Sequence, residues 1–130
     1  MEEVLSFIKR CGVFFIATAE GDQPRVRPFA GISKYEGKLY FGTHITKKVA
    51  KQLQNNPKFE ICGFTGEEWI RLSGTAVLDE RNGAKEAMLI QNPSVNSVSS
   101  LEDGIFVVYY IKEGVADFQS FKGKNVTIYL

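Results

Sequence analysis

Residues 13–43 read VFFIATAEGDQPRVRPFAGISKYEGKLYFGT, and this stretch determines the fold class. Aromatic and branched residues are grouped there in runs of strand length, and turn signals at 20–22 and at Glu36-Gly37 separate the runs. The pattern predicts an antiparallel meander of two hairpins, built from the strands Val13–Ala19, Pro24–Tyr35 and Lys38–Thr43.

Further strands and three short helices are predicted on either side of this meander. The helices are Glu2–Cys11, Lys47–Asn55 with Thr46 as N-cap, and Gly83–Gln91. The strands are Lys58–Phe64, Trp69–Asp79, a last hairpin of Ile105–Lys112 and Val115–Phe121 around Glu113-Gly114, and a short strand at Val126–Leu130. The serine-rich stretch Ser94–Asp103 is predicted to be a loop or a broken helix.

The chain is expected to be a single domain, residues 1–130, of the mainly β class. With six or seven neighbouring antiparallel strands, closure of the sheet is the efficient way to remove exposed edges. We therefore predict a small antiparallel β-barrel with peripheral helices.

Composition excludes several classes of protein. With 44% hydrophobic and 24% charged residues, the chain is neither disordered nor a rod. A net charge of +1 provides no surplus for binding nucleic acid or a membrane surface, and the longest apolar run, Val13–Ala17, is too short to cross a bilayer. The acidic start lacks a secretory signal, so a cytoplasmic location is expected.

Cys11 and Cys62 are expected to be buried, and with His44 alone they form no zinc site, so no metal is expected.

The segment 42–48, GTHITKK, is the strongest candidate for a binding site. The first turn of a helix carries unpaired N–H groups and favours acidic residues, yet Lys47 and Lys48 are placed there. Together with the hydroxyls of Thr43 and Thr46, they could hold a phosphate group. The alternative is that both lysine side chains extend into water.

A second candidate is the segment 21–29, in which Pro28 falls within a predicted strand. Proline removes a backbone donor there, which is typical of an edge strand or a bulge. Backbone groups left unpaired near Pro28 could contact a planar ligand, and Arg27 could place its guanidinium beside it. The alternative is an edge strand with solvated arginines.

Single residues give weaker indications. Trp69 could contact a ligand or simply pack at a strand start, and His44 could be an acid or base or a solvated loop residue. The sequence contains no nucleophile elbow, no dinucleotide fingerprint and no Walker-type loop. The residues thus leave catalytic groups unassigned.

The order of these motifs resembles the pyridoxamine 5'-phosphate oxidase-like family of FMN-binding split barrels, and most of all its small members grouped with nitroimidazole reductases. The resemblance covers nearly the whole chain. It rests on Gly21, Pro24, Arg27 and Pro28, on 39–43 followed by Lys47-Lys48, on Asn56-Pro57, on 69–74 (WIRLSG), and on the closing aromatic strands.

The resemblance implies a homodimer that binds two FMN molecules at the subunit interface. The segment Arg27, Pro28, Phe29 and Ala30 would then run along the isoalloxazine ring. The positions Phe41, Gly42 and Thr43 would touch the ribityl chain or phosphate, and Thr46, Lys47 and Lys48 would hold the phosphate. Trp69 would flank the ring from the partner subunit.

The implied activity is that of an oxidoreductase, in which FMN passes electrons from a reduced nicotinamide to a small acceptor such as a nitroaromatic compound. Pyridoxamine phosphate oxidation is not expected, because the substrate lysine of those members is replaced by an apolar residue near Ile32 and no C-terminal arginine-histidine motif is present. The alternatives are a flavin-binding module without turnover (a sensor, carrier or storage protein), an empty barrel that serves in protein interactions, and a deazaflavin or haem in the same cleft.

Overall fold

The computed structural model describes residues 1–96 and 100–130, and within them the chain forms eight strands and four helices. In chain order these are α1 (Glu2–Cys11), β1 (Phe14–Glu20), β2 (Gln23–Phe29), β3 (Ile32–Tyr35), β4 (Lys38–His44), α2 (Lys48–Asn55), β5 (Lys58–Phe64), β6 (Glu68–Asp79), α3 (Asn82–Gln91), α4 (Pro93–Asn96), β7 (Phe106–Ser120) and β8 (Asn125–Tyr129). The strand pairs are antiparallel, which confirms the predicted fold class.

The strand order closes the sheet into a barrel. The order is β2-β1-β5-β6-β7-β4-β3, with β8 paired to the second half of β7. The strands β2 and β3 stand at opposite ends of this order, yet only Ala30 and Gly31 separate them in the chain. Three Cα–Cα steps span at most about 11 Å, so the two ends of the sheet must meet. Within the described residues no ladder joins β2 to β3, and the barrel is split at this seam.

The seam corrects the prediction of one long strand over Pro24–Tyr35. The chain leaves β2 after Phe29 and re-enters the sheet as β3 at Ile32, on the opposite edge. The expectation for Pro28 is confirmed in part. The strand β2 is an edge strand, but it keeps pairing with β1 through Phe29, so pairing does not stop at Pro28.

The predicted hairpin around Glu113-Gly114 is wrong. The strand β7 runs uninterrupted from Phe106 to Ser120 against β6. Between Ser73 and Thr75 of β6 the register shifts, so that two residues of β7 oppose one residue of β6. Glu113 adopts a left-handed backbone conformation there (φ 54°), and the pair forms a β-bulge in place of a turn.

The barrel interior is filled by apolar side chains of the strands, and α1 covers one part of it with Val4, Phe7 and Ile8. The helix α2 contributes Val49 and Leu53 to the same core. A second, smaller core lies around α3, where Ala84, Met88 and Leu89 pack with Tyr40, Phe106 and Val108. The helices therefore cover the barrel from outside, as expected for peripheral helices.

Two smaller expectations are corrected, and a third is tested in part. The N-cap of α2 is Lys47 in place of Thr46, because the helical backbone begins one residue later than predicted. Cys62 is exposed on the outward side of β5, since strand alternation turns Ile61 inward. The stretch Ser94–Asp103 includes the end of α4, and its residues 97–99 lie outside the described residues.

Candidate functional site

A cleft of about 880 Å³ opens beside the seam of the barrel. Its volume lies in the range of about 300–1,000 Å³ that is typical of small-molecule sites. Edge strand β2, the end of β4, the start of α2 and the short helix α4 supply its walls. The lining residues are Glu20, Arg25, Val26, Arg27, Pro28, Phe29, Ala30, Gly31, Gly42, Thr43, His44, Thr46, Lys47, Lys48, Val49, Gln52, Ser94, Val95 and Phe106.

The cleft runs along the free edge of β2. Val26 and Pro28 pair with Ala17 and Phe15 and face outward, whereas Arg27 pairs with the buried Ile16 and faces inward. The outward-facing Val26 and Pro28 and the inward-facing Arg27 all line the cleft. A ligand lying along this edge can therefore contact side chains from both faces of the strand and backbone groups that β1 does not pair.

The structure brings together nine of the eleven residues that the sequence predicts for cofactor binding: Arg27, Pro28, Phe29, Ala30, Gly42, Thr43, Thr46, Lys47 and Lys48. Their grouping agrees with a single site, and their contacts with a cofactor remain a prediction.

Phe41 and Trp69 do not line this cleft. The Phe41 ring is fully buried and stacks on Tyr109 at 5.4 Å, so its side chain belongs to the barrel core. Trp69 lies half-buried at the start of β6, where its Nε1 donates a 2.9 Å hydrogen bond to Gln119 and its ring packs 4.9 Å from that of Phe121. Its predicted role in the partner subunit's site stays a prediction.

Arg27 is held by neutral acceptors alone. Its Nη1 donates to the carbonyl of Ile16 at 3.2 Å and to the hydroxyl of Thr18 at 2.7 Å, and its Nη2 donates to the Gln52 side-chain oxygen at 2.6 Å. Burial, and secondarily Arg25, lowers the pKa of Arg27 from its ordinary value, but a guanidinium remains charged at neutral pH. Within the described residues Arg27 forms no ion pair, so its positive charge is available to a ligand.

The carboxylate of Glu20 is already engaged by another arginine. Arg25 donates to it through Nε at 3.1 Å and Nη2 at 2.9 Å, and this contact holds the pKa of Glu20 below its usual value. The cleft lining contains four cationic side chains (Arg25, Arg27, Lys47 and Lys48) against this one carboxylate, an excess of three positive charges. The electrostatics of the cleft favour an anionic ligand.

The start of α2 adds backbone donors to this charge, since the N–H groups of Lys48 and Val49 have no backbone partner among the described residues. Its first turn contains no acidic residue, and its N-cap, Lys47, provides no side-chain cap. The exposed side chains of Thr46, Lys47 and Lys48 surround these donors. A phosphate group would satisfy both the backbone N–H groups and the ammonium groups.

His44 lies at the wall of the cleft, half-buried, with its ring edge-on to Phe106 at a centroid distance of 6.5 Å. Sequence reasoning left its role open, and the structure places it within reach of a ligand in the cleft.

Several lining residues were missed by sequence reasoning. Glu20 of β1 and Gln52 of α2 line the cleft beside Arg27, and Ser94 and Val95 close the far wall from α4. Thr18 of β1 does not line the cleft but accepts a hydrogen bond from Arg27. One signal was available: Gln52 occupies the buried face of α2, next to Leu53 and one turn after Val49, where a polar residue needs a partner.

The described part of the chain contains no helix that is long and apolar enough to cross a membrane. Over the same residues, no group of three or more histidine, cysteine or acidic side chains could hold a metal ion.

The fold defines a split β-barrel protein, and its cleft carries an excess of positive charge. The family model described as pyridoxamine 5'-phosphate oxidase matches residues 1–124, and the chain belongs to that family. No curated protein matches the chain.

Solved structures support this assignment. A NimC/NimA family protein from Clostridium acetobutylicum is 49% identical, with a TM-score of 0.95, over 100% of this chain and 92% of that one. A pyridoxamine 5'-phosphate oxidase-related, FMN-binding protein from Nostoc punctiforme has a TM-score of 0.61 at 15% identity, over 99% and 95% of the two chains. A heme-binding protein from Mycobacterium smegmatis has a TM-score of 0.77 at 16% identity, over 98% of this chain and 57% of that one. The last two likenesses show the fold alone.

Proposed function

We propose that this chain is an FMN-binding flavoprotein and acts as an oxidoreductase. The observation that carries the proposal is the uncompensated charge of Arg27, which lies in one cleft with Lys47 and Lys48. A dianionic phosphate fits this combination of charge and backbone donors. The family model over residues 1–124 and the NimC/NimA protein at 49% identity support the choice of cofactor and of reaction class.

Different residues of the cleft contact different parts of the cofactor. Thr46, Lys47 and Lys48 hold the phosphate. Arg27, which the family resemblance assigns to the ring, is placed with them here, because its guanidinium is hydrogen-bonded to Gln52 of α2, the helix whose N-terminus carries both lysines. Pro28, Phe29 and Ala30, at the end of β2, form the apolar wall against the ring system, and Gly42 and Thr43 border the ribityl chain.

When bound, FMN supplies the redox chemistry, which carries electrons from a reduced nicotinamide to a small acceptor such as a nitroaromatic compound. The N–H groups along the free edge of β2 would stabilise negative charge on a ring bound beside them.

We also propose that the cleft is completed by a second copy of the chain. Phe15, Pro28 and Cys62 are direct neighbours across β1, β2 and β5 on the outward face of the sheet. Phe15 is 48% exposed and Val26, which borders the cleft, is 68% exposed. This apolar surface is continuous with the cleft, and burial against a partner would remove it from water. Trp69 of the second copy would then flank the ring.

An absorption spectrum and an apoprotein titration test the proposal. The purified protein is unfolded to release any bound ligand, refolded, and titrated with FMN while flavin fluorescence is recorded. We expect saturable binding with one FMN per chain, followed by bleaching of the visible flavin bands when NADPH is added without oxygen.

Other outcomes identify the alternatives. Bands that persist with NADPH and with NADH contradict the nicotinamide-dependent activity and leave a flavin-binding module. A Soret band in the purified protein indicates haem. Binding of neither ligand contradicts the cofactor assignment.

A further inference from the structure

Gln52 lies between the cation and the carboxylate of the cleft. Its side chain is 95% buried, in the middle of α2, and separates the guanidinium of Arg27 from the carboxylate of Glu20. The side-chain oxygen is 2.6 Å from Arg27 Nη2, and the side-chain nitrogen is 3.5 Å from Glu20 Oε2. Gln52 therefore contacts a cation with its oxygen and a carboxylate with its nitrogen.

The orientation of the amide is fixed by its neighbours. Its oxygen accepts a second hydrogen bond, of 2.6 Å, from the buried hydroxyl of Thr18. The reverse orientation would place the amide N–H groups against the N–H groups of Arg27, which have no acceptor to offer. The neutral oxygen thus always faces the cation.

A neutral partner orients Arg27 without cancelling its charge. Three of the five guanidinium N–H groups are used, for Ile16, Thr18 and Gln52, and the other two have no acceptor among the described residues. A carboxylate at position 52 would form a buried ion pair with Arg27 in place of this hydrogen bond. The positive charge that the cleft offers to an anion would then be lost.

We propose that Gln52 raises the selectivity of the cleft for a phosphorylated flavin over riboflavin, because it positions Arg27 while leaving the guanidinium charge to the phosphate. Gln52 acts through Arg27 and is a positioning residue. The inference rests on the proposed FMN site.

The test compares the dissociation constants of FMN and riboflavin for the apoprotein, by flavin fluorescence, in wild type, Gln52→Glu and Gln52→Met. The quantity of interest is the ratio of the riboflavin constant to the FMN constant. In Gln52→Glu we expect this ratio to fall by roughly tenfold or more, the scale of one hydrogen bond to a charged group, while riboflavin binding changes little. In Gln52→Met, which adds no charge but removes one of the three acceptors that orient Arg27, we expect a smaller fall of the ratio, by about threefold.

Gln54→Glu is the matched control, since it makes the same change in charge two residues away on the exposed face of α2. It is expected to leave the ratio unchanged. Circular dichroism checks that each variant folds. If Gln52→Glu does not fold, Gln52→Met alone decides: a lower ratio with unchanged riboflavin binding supports the positioning role, and an unchanged ratio overturns it.

Equal loss of affinity for both flavins in Gln52→Glu would show a structural role only and overturns the inference while the FMN site stands. An equal fall of the ratio in Gln54→Glu attributes the effect to general electrostatics and also overturns it. A wild-type protein that binds neither flavin contradicts the proposed function itself, and the inference with it.

Discussion

The phenol of Tyr40 donates a 2.7 Å hydrogen bond to Oδ2 of Asp79, and both side chains are buried. Tyr40 belongs to β4 and Asp79 ends β6, so the bond connects two strands that β7 separates. Arg81 completes the group, since it donates to Asp79 through Nε and Nη2 and to Glu36 through Nη1. These contacts fix the end of β6 against the β3–β4 hairpin, which forms one side of the seam.

Replacement of Tyr40 by phenylalanine is expected to lower the free energy of unfolding by about 1.5–3 kcal/mol, the contribution of a hydrogen bond to a charged group. Urea denaturation measures the change. Tyr110→Phe is the matched control, because among the described residues the Tyr110 hydroxyl has no hydrogen-bond partner while its ring packs on that of Tyr40 at 6.0 Å. Similar losses in the two variants would contradict a specific role for the Tyr40–Asp79 bond.

The ionisation of Asp79 leads to a prediction of how the stability of the protein depends on pH. The hydrogen bonds from Arg81, and then that from Tyr40, hold the pKa of Asp79 well below its usual range, whereas in the unfolded chain it is about 3.9. Below about pH 5 the unfolded state therefore binds more protons at this site than the folded state, and the stabilisation is lost as the pH falls. Asp79→Asn should be less stable than wild type at pH 7 and should lose less stability between about pH 5 and 2. Thermal denaturation at pH 7 and between about pH 5 and 2 measures both the stability and its loss in acid. An unchanged acid dependence in Asp79→Asn would contradict the prediction.

Burial and the bond to Asp79 have the opposite effect on the partner, and raise the pKa of Tyr40 to about 12. The phenol therefore stays protonated at neutral pH and remains a donor.

The two lysines at the start of α2 are expected to determine the affinity for the phosphate. The double variant Lys47→Ala, Lys48→Ala should weaken FMN binding by more than about tenfold, because a charge-assisted contact contributes roughly 1.5–3 kcal/mol. Riboflavin binding should change little. Titration of the apoprotein measures both constants, with Lys112→Ala, Lys122→Ala as a control of equal charge on exposed residues outside the cleft. Unchanged FMN affinity would contradict the phosphate assignment.

The seam of the barrel was predictable in principle from two residues. Phe29 and Ile32 are both buried in the main core, 9% and 1% exposed. They are three positions apart, and in one uninterrupted strand this odd spacing would turn them to opposite faces. The chain must therefore break between them. The apolar composition of the stretch conceals the break, since it contains no polar turn residues.

The bulge in β7 was not predictable from local sequence. Glu113-Gly114 has the composition of a turn, and the left-handed conformation of Glu113 is typical of one. What keeps the strand extended is pairing with the twelve-residue strand β6 on both sides of the bulge, which is a long-range interaction.

The binding site shows the same difference between features that local sequence predicts and features that depend on long-range contacts. Residues 42–48 were identified because they are contiguous and because their charges conflict with a helix N-terminus. The network of Arg27, Thr18 and Gln52 joins three separate elements, β2, β1 and α2, so no local pattern contains it.

The proposed dimer leads to the last prediction, which concerns Phe15. This side chain lies outside the core, on the outward face of β1 between Pro28 and Cys62. Phe15→Glu should therefore leave the monomer folded but place a charge in the interface, and burial of one phenylalanine side chain contributes about 1.5–3 kcal/mol. Two symmetry-related copies double this amount, so the dissociation constant of the dimer should rise by about a hundredfold or more.

Sedimentation equilibrium measures the dissociation constant, with Ile90→Glu as control, because Ile90 is 69% exposed on α3 and is not part of this surface. FMN affinity should fall together with dimer formation in Phe15→Glu, since the partner's side of the site, with Trp69, is lost when the subunits separate. A Phe15→Glu protein that stays dimeric would place the interface elsewhere. A monomeric variant that keeps full FMN affinity would show that one chain is sufficient for the site.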